Sequence, residues 1–402
     1  MSEEEKLTPE QLEYQDYARR WLAENRPPPP SVRLPITALE TMLEEQRSYL
    51  HEWQSKCYHA GLVGADLPTE YGGGGHTGFQ RIADEEMGRA GTPFLLNVIG
   101  LRMAIPTILE HGTEEQKKKF VAPALSGDEI WCQGFSEPGA GSDLANQQLF
   151  AEKRGEEWVL NGHKVWTSLA HFAKWMILIT RTSHHHKYDG LTYFISPIQG
   201  HPGIKVRPLI KMTGETGFNE VLFEDVVVPD HYRLDEVGKG WTVAMTTLTY
   251  ERGAADGAGG GIRDARPPIE SLVALAKDSR RNGAPASQDA VLRDRIVKQA
   301  IVEEAMAQTA RRSRVDALCD HPMRLPLQAN LNESEFLQHN ARLGVDIAGA
   351  KASLYKLDEK APDAGHWPLS YLNSYGETIA AGTSEIQRNI LGERVLGMAK
   401  SK

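Results

Sequence analysis

Only three cysteines occur in 402 residues, Cys57, Cys132 and Cys319, far apart and without a Cys-x-x-Cys pair. Such spacing excludes a disulfide framework and a zinc–cysteine site, and unpaired thiols point to a reducing compartment. No apolar run reaches the ~18 residues of a transmembrane helix, and the start at Met1–Lys6 is acidic and polar, so neither a membrane span nor a secretory leader is expected. Basic stretches are scarce too. Net charge is −9, and the densest cationic cluster, Lys117–Lys119, follows helix-start residues and reads as a solvated helix face. A chain without clustered Lys and Arg is a poor nucleic-acid binder, whereas an anionic small molecule needs only one or two local cations. A cytoplasmic protein with no nucleic acid or membrane among its partners is the expectation.

What is present is ordinary for a globular chain: 40% hydrophobic and 25% charged residues. At ~100–200 residues per domain, the length calls for more than one core. The apolar period changes twice along the chain. From Thr8 to about Leu125 it is helical, with a capping box at Thr8 and Gln11, Pro9 at the first helical position, and the same start signal at Thr113 and Gln116. Between them the glycine run Gly72–Gly75 follows a helix end near Ala60 and a Pro68 loop. It lacks the strand-then-helix setting of a phosphate cradle and reads as a plain loop.

From Glu129 to Val228 the pattern is β. Glu157–Val165 alternates, with Asn161-Gly162 inside it as a two-residue hairpin turn, and Trp175–Thr180, Leu191–Ser196 and Glu220–Val228 read as strands. The triple histidine His184–His186 lies between two of these strands and reads as a solvated loop, because adjacent side chains in a turn splay outward. From Lys239 helical periodicity returns, most clearly over Asp289–Arg314 and Leu331–Lys360. Five glycines within Gly253–Gly261 predict a broken stretch after a helix starting near Gly240, and Pro267-Pro268 suits the next helix start. The fold class is therefore α+β and multi-domain: a helical domain over residues 1–128, a β-domain over 129–238 and a helical bundle over 239–402.

Three motifs stand out. Phe135-Ser136-Glu137-Pro138-Gly139-Ala140-Gly141-Ser142-Asp143 is a glycine-rich loop leaving a strand, with hydroxyls and backbone N–H groups free to face a ligand. A serine-hydrolase elbow does not fit, since Gly134-Phe135-Ser136-Glu137 ends in Pro138 where Gly-x-Ser-x-Gly needs glycine, and no helix follows. Lys164-Val165-Trp166-Thr167-Ser168 closes a strand with an indole beside two hydroxyls, an arrangement equally open to ordinary packing. In Gly382-Thr383-Ser384-Glu385-Ile386-Gln387-Arg388, Thr383 or Ser384 suits the cap of the last helix.

In this order, and with Leu67-Pro68-Thr69-Glu70-Tyr71-Gly72-Gly73 and Phe218-Asn219-Glu220-Val221, the motifs resemble the acyl-CoA dehydrogenase family of flavoenzymes over nearly the whole chain. The resemblance implies an N-terminal helical domain, a central β-barrel-like domain and a C-terminal helical bundle, bound FAD and a tetramer. It implies that the loop Gln133–Ser142 holds the flavin, with Phe135, Ser136 and Gly141 along it, Ser142 shared with the CoA thioester, Trp166 packed on the flavin and Ser168 near its N5. Arg252 corresponds to an arginine close to substrate, and Gly382–Arg388, with Thr383 and Glu385, to the stretch beside the flavin and adenine.

The family's reaction removes an α-proton and passes a β-hydride to flavin N5, which requires a carboxylate over the α-carbon. Many members place that glutamate just before the Gly-Thr of the C-terminal motif, where this chain has Ala381. Glu251, before Arg252, occupies the position that supplies the base in isovaleryl-CoA and long-chain members, and is the expected general base. The backbone N–H of Ala381, next to Gly382, remains able to donate to the thioester oxygen. The family's Arg-x-x-Phe-Gly segment, which reaches a neighbour's FAD, reads here as Arg280-Arg281-Asn282-Gly283-Ala284-Pro285. With Trp131-Cys132-Gln133-Gly134 and Tyr250-Glu251-Arg252-Gly253, this resembles a bacterial subgroup acting on bulky or dicarboxylic acyl groups. Implied partners are an acyl-CoA, an electron-transfer flavoprotein, and further subunits in a homotetramer or a heterotetramer with a related chain. The alternatives are a non-catalytic or half-site subunit, and a flavin oxidase on the same fold.

Overall fold

Thr8 begins the first helix as its capping box requires: its hydroxyl accepts from the Gln11 N–H while the Gln11 side chain accepts from the Thr8 N–H. The computed structural model describes residues 7–400 apart from 36, 252–268, 313–314, 322 and 357. The chain divides into two compact units, Met1–Ile210 with Thr216–Asp264, and Lys211–Glu215 with Ala265–Lys402. Among the described residues, no helix is long and apolar enough to cross a membrane.

The first unit opens with helices α1 (Pro9–Asn25), α2 (Glu44–His59), α3 (Phe79–Ala90), α4 (Ile105–His111) and α5 (Glu114–Ser126). A wider π turn, Gly100–Ala104, leads into α4, and Thr113 caps α5 with the second expected capping box. Strands β1 (Trp131–Gly134), β2 (Phe150–Arg154), β3 (Glu157–Ser168), β4 (Trp175–Arg181), β5 (Leu191–Pro197), β6 (Ile204–Ile210), β7 (Thr216–Pro229) and β8 (Arg233–Leu234) follow, then α6 (Gly240–Thr249). They form one eight-stranded sheet in the order β6-β7-β3-β2-β4-β5-β8, with β1 pairing in parallel with β4.

Strand alternation divides the core of this unit. Trp175, Ile177 and Ile179 of β4 and Leu191, Tyr193 and Ile195 of β5 join the cluster built with the helices. Met176, Leu178 and Phe194 point the other way, onto Trp158, Leu160, Val221, Phe223 and Val226 of β3 and β7. Both faces of β4 and β5 are thus buried, which explains their continuous apolar runs.

Asn161-Gly162 is not a hairpin turn. Strand β3 runs through it, and the β2–β3 turn lies at Gly155-Glu156, with Gly155 at φ +65°. Asn161-Gly162 instead marks a register shift against β7, where a Cβ on Gly162 would stand 2.6 Å from the Leu149 Cα. The glycine serves a close backbone approach, a role that carries the same local sequence as a turn.

In the second unit, α7 (Ile269–Asp278) leads to a two-stranded hairpin, β9 (Arg280–Arg281) and β10 (Ala284–Pro285), closed by Asn282 at φ +51° and Gly283 at φ +82°. Helices α8 (Ala290–Arg312), α9 (Arg324–Ala348), α10 (His366–Glu377) and α11 (Ser384–Ile390) complete it. The helix expected over Leu331–Lys360 starts earlier, at Arg324, and stops at Gly349, whose φ of +58° with ψ −133° suits glycine alone. Its core joins Leu272 and Leu275 of α7, Leu292 and Ile296 of α8, Phe336 and Leu343 of α9 and Trp367 of α10. The glycine-rich stretch Gly253–Gly261 and Pro267-Pro268 lie outside the described residues.

Candidate active site

Strand β1 delivers the loop that the sequence singles out. Trp131, Gln133 and Phe135 alternate with Cys132, and Trp131 and Phe135 belong to the helix-side cluster while Cys132 belongs to the opposite one. The Gln133 side chain therefore points to the helix side. There its Nε2 donates to Glu251 Oε2 at 3.2 Å, across 118 residues of sequence. Glu251 lies one residue beyond Tyr250, where α6 passes into a π turn.

The floor beside Glu251 is a buried hydroxyl chain. Tyr193 Oη is 2.9 Å from Thr247 Oγ1, Thr247 Oγ1 is 3.0 Å from Thr107 Oγ1, and Thr247 donates to the Val243 carbonyl at 3.1 Å. Burial above all, with the Glu251 charge adding to it, holds the Tyr193 phenol well above its ordinary range, so it stays protonated. Its ring meets Phe135 edge-on at 5.9 Å, tying the hydroxyl chain to the loop.

The loop itself is pinned from below. Lys164, fully buried on β3, donates to the Phe135 carbonyl at 3.1 Å, to Glu137 Oε1 at 2.8 Å and to Gln147 Oε1 at 2.5 Å. Glu137 in turn accepts from the N–H groups of Gln148 and Leu149, and the Val165 N–H donates to the Ser136 carbonyl. Burial lowers the Lys164 ammonium to about 8, with the Glu137 charge opposing the shift. Farther along, Gly141 and Ser142 stand exposed, and a Cβ placed on Gly139 or Gly141 would meet nothing within 4 Å.

At the end of β3 a register shift between Lys164 and Thr167 throws Trp166 to φ +60°. A bulky residue in that region is strained, and here the strain turns the indole outward, 61% exposed and edge-on to Phe218 at 6.1 Å. Thr167 and Ser168 are buried, and among the described residues Thr167 Oγ1 has no hydrogen-bond partner.

In the second unit Ala381 sits at φ +53° and Gly382 at φ +99°. The Gln387 amide donates to the Ala381 carbonyl at 2.8 Å, holding this turn against α11. Thr383 caps α11 by accepting from the Ile386 N–H at 3.2 Å. Glu385 in the first turn is held below the usual carboxylate range by its own backbone N–H and by Thr383. Arg252 lies outside the described residues. The structure thus brings Gln133 to Glu251 within the first unit, while Ala381, Gly382, Thr383 and Glu385 share one turn in the second. Sequence reading names Lys164, Glu137 and Gln387 only as members of motifs, without a role, and does not single out Tyr193. A lysine inside a buried strand was the one available signal.

Residues 8–128, 132–226 and 238–396 match, in turn, the N-terminal, middle and C-terminal domains of acyl-CoA dehydrogenases. The chain belongs to the acyl-CoA dehydrogenase family. It is 38% identical over 369 residues to acyl-CoA dehydrogenase IpdE1 of Mycolicibacterium smegmatis, covering 89% of each chain. To acyl-CoA dehydrogenase FadE34 of Mycobacterium tuberculosis it is 33% identical over 376 residues, 92% of this chain and 48% of the relative. Among solved structures, a variant of the Tcur3481-Tcur3483 steroid ACAD aligns with a TM-score of 0.77 and 25% identity, covering 98% of this chain and 99% of that one. The family membership makes this chain an oxidoreductase of the acyl-CoA dehydrogenase type and agrees with the α+β architecture described above.

Proposed function

We propose that the chain catalyses α,β-dehydrogenation of an acyl-CoA thioester to the 2-enoyl-CoA in the cytoplasm, with FAD as cofactor and an electron-transfer flavoprotein receiving the electrons. The observation that carries this reading is the Glu251 carboxylate held against Gln133, two residues before the loop that begins at Phe135. A family member with Ala381 before Gly-Thr needs a base from elsewhere, and Glu251 is a carboxylate fixed beside the same strand.

The residues present fit a flavin. Thr167 offers a buried hydroxyl without a partner, Trp166 an exposed indole, and Ser136, Ser142 and Ser168 further hydroxyls around a loop whose glycines leave room for close approach. Bound there, FAD supplies the acceptor for the hydride leaving the β-carbon. Phe135, Ser136, Gly141, Trp166 and Ser168 would hold it, and the family resemblance adds Thr383 and Glu385 of the C-terminal motif. Glu251 takes the α-proton. By the family resemblance, Ser142, the Ala381 N–H, Gly382 and Arg252 would serve the thioester substrate. The steroid ACAD among the structural relatives favours a ring-bearing acyl group.

That relative's name joins two chains, which favours a second reading: a subunit that completes a flavin site only with a related partner. The visible spectrum of the protein expressed alone, before and after anaerobic addition of an acyl-CoA panel including ring-bearing thioesters, separates the two. A flavin band that bleaches supports the self-sufficient dehydrogenase. A colourless protein, or a band that no thioester bleaches, overturns it in favour of the partner-dependent subunit. Glu251→Gln should retain flavin and lose bleaching, and undiminished bleaching removes Glu251 from the role of base.

A further inference from the structure

We infer that Gln133 is a positioning residue for Glu251, holding the carboxylate in one aimed arrangement beside the flavin loop. The inference rests on the reading of Glu251 as the general base. It goes beyond the flavin contact that the sequence resemblance implies for Gln133, because the side chain amide is engaged with the carboxylate instead.

The geometry carries it. A glutamate has three rotatable side-chain bonds, so a base on a helix samples several positions unless something fixes its end. Gln133 is itself fixed. Strand β1 pairs with β4 along its length, with Gln133 opposite Ile177, and the residues on either side, Cys132 and Gly134, are buried. A Cβ on Gly134 would stand 2.3 Å from Met176 Sδ, so the strand has no room to shift there. The donor that reaches Glu251 Oε2 at 3.2 Å is therefore mounted on a strand that is paired and tightly packed.

The buried hydroxyls of Thr247 and Tyr193 spend their protons elsewhere. With the Thr247 proton on the Val243 carbonyl, the single proton of Tyr193 is spent on Thr247 Oγ1. Tyr193 on β5 is then a neutral neighbour of the carboxylate, kept protonated by its burial. On α4, Glu110 is engaged one turn away, by Thr246 at 3.4 Å and Tyr250 at 3.3 Å, and His111 by Thr246 at 2.9 Å and Asp235 at 3.2 Å. An amide offers a donor without adding charge. It stabilises the ionised carboxylate and orients it, yet leaves it able to accept a proton.

The test compares wild type, Gln133→Met, Gln133→Asn and Glu251→Gln in anaerobic flavin reduction, using the thioester that bleaches the wild type, across about pH 5.5 to 9. Methionine keeps the length and removes the donor. Asparagine keeps the donor and draws it back by one methylene. For Gln133→Met the expected result is reduction slowed about tenfold, with the acid limb of the profile displaced upward by about half to one unit. A larger α-deuterium isotope effect should accompany it, while flavin content and melting temperature stay unchanged. Gln133→Asn should fall between, and it carries the test if the methionine variant does not fold. An unchanged rate, profile and isotope effect, with Glu251→Gln inactive, overturns the role of Gln133 and leaves Glu251 as base. Flavin loss from Gln133→Met overturns it in favour of a cofactor contact. A Glu251→Gln enzyme that still reduces its flavin overturns the base reading, and this inference with it.

Discussion

Lys164 and Glu137 form an ion pair of 2.8 Å in which the lysine side chain is fully buried and the glutamate nearly so. All three ammonium protons have acceptors, on Glu137, Gln147 and the Phe135 carbonyl, and both carboxylate oxygens take backbone N–H groups. The pair joins β3, which carries Trp166 near its end, to the loop at Phe135-Ser136. It is the joint between the two motifs that the sequence presents separately.

Breaking that joint should be costly from either side. Lys164→Met leaves Glu137 buried without its cation and is expected to destabilise the protein by roughly 3–5 kcal/mol, whereas Lys164→Met with Glu137→Leu should recover part of that loss. Urea unfolding of the two single variants and the double variant measures the coupling. A single-variant cost below about 1 kcal/mol would mean that the pair is not holding the loop. Flavin content, measured on the same preparations, should fall with the single variants, because the loop carrying Ser136 loses its anchor.

A pH effect follows from His171, just past Ser168. Its Nε2 lies 3.1 Å from the Thr41 carbonyl and its Nδ1 lies 3.1 Å from the Asn219 amide nitrogen, which also donates to the Thr167 carbonyl at 3.0 Å. This fits the neutral ring with the proton on Nε2; a second proton on Nδ1 would face another N–H. Burial, the leading cause, lowers the His171 pKa. The unfolded chain then binds the extra proton more readily, so the contribution is full above the ordinary value of about 6.5 and is lost as pH falls through the folded value. Wild type should lose more stability between about pH 7.5 and 5.5 than His171→Gln, which does not titrate. Equal losses in paired denaturant titrations would refute it.

The cysteines offer a check on whether β1 opens. Cys57 and Cys132 are fully buried and burial pushes both thiols up, whereas Cys319 is partly exposed. In the native protein near about pH 8, a chromogenic disulfide reagent should titrate one thiol quickly and the other two only after denaturation. Because Cys132 adjoins Gln133, fast reaction of a second thiol that disappears in Cys132→Ser would mean that the strand mounting Gln133 opens in solution.

What can be read in advance is local chemistry. Thr8 with Gln11 and Thr113 with Gln116 cap their helices within four residues, and the continuous apolar runs at β4 and β5 need only their own length. Family motifs locate the loop and the C-terminal turn. What stays hidden depends on contacts between distant residues: Gln133 with Glu251 across 118 positions, Lys164 with Glu137 across 27, and Gly162 against Leu149. Asn161-Gly162 misleads because a turn and a close approach ask for the same glycine. The end of α9 misleads for a related reason, since Gly349 acts through a backbone conformation rather than through any break in apolar spacing.

Gly344 shows how far such a hidden requirement reaches. It lies inside α9, where glycine costs about 1 kcal/mol relative to alanine, so propensity alone makes Gly344→Ala stabilising. The packing argues the reverse. A Cβ there would stand 2.0 Å from Trp367 Cε3 and 2.6 Å from Cδ2. The indole cannot swing away freely, because it is 1% exposed within the unit's core and its Nε1 donates to Asp363 at 2.5 Å. Overpacking typically costs about 1–3 kcal/mol, which exceeds the helical gain, so Gly344→Ala should lower the melting temperature. Pairing it with Trp367→Leu, which frees the space, should return part of the loss relative to Trp367→Leu alone. A stabilised Gly344→Ala protein would mean that α9 and α10 separate more easily than their close contact implies.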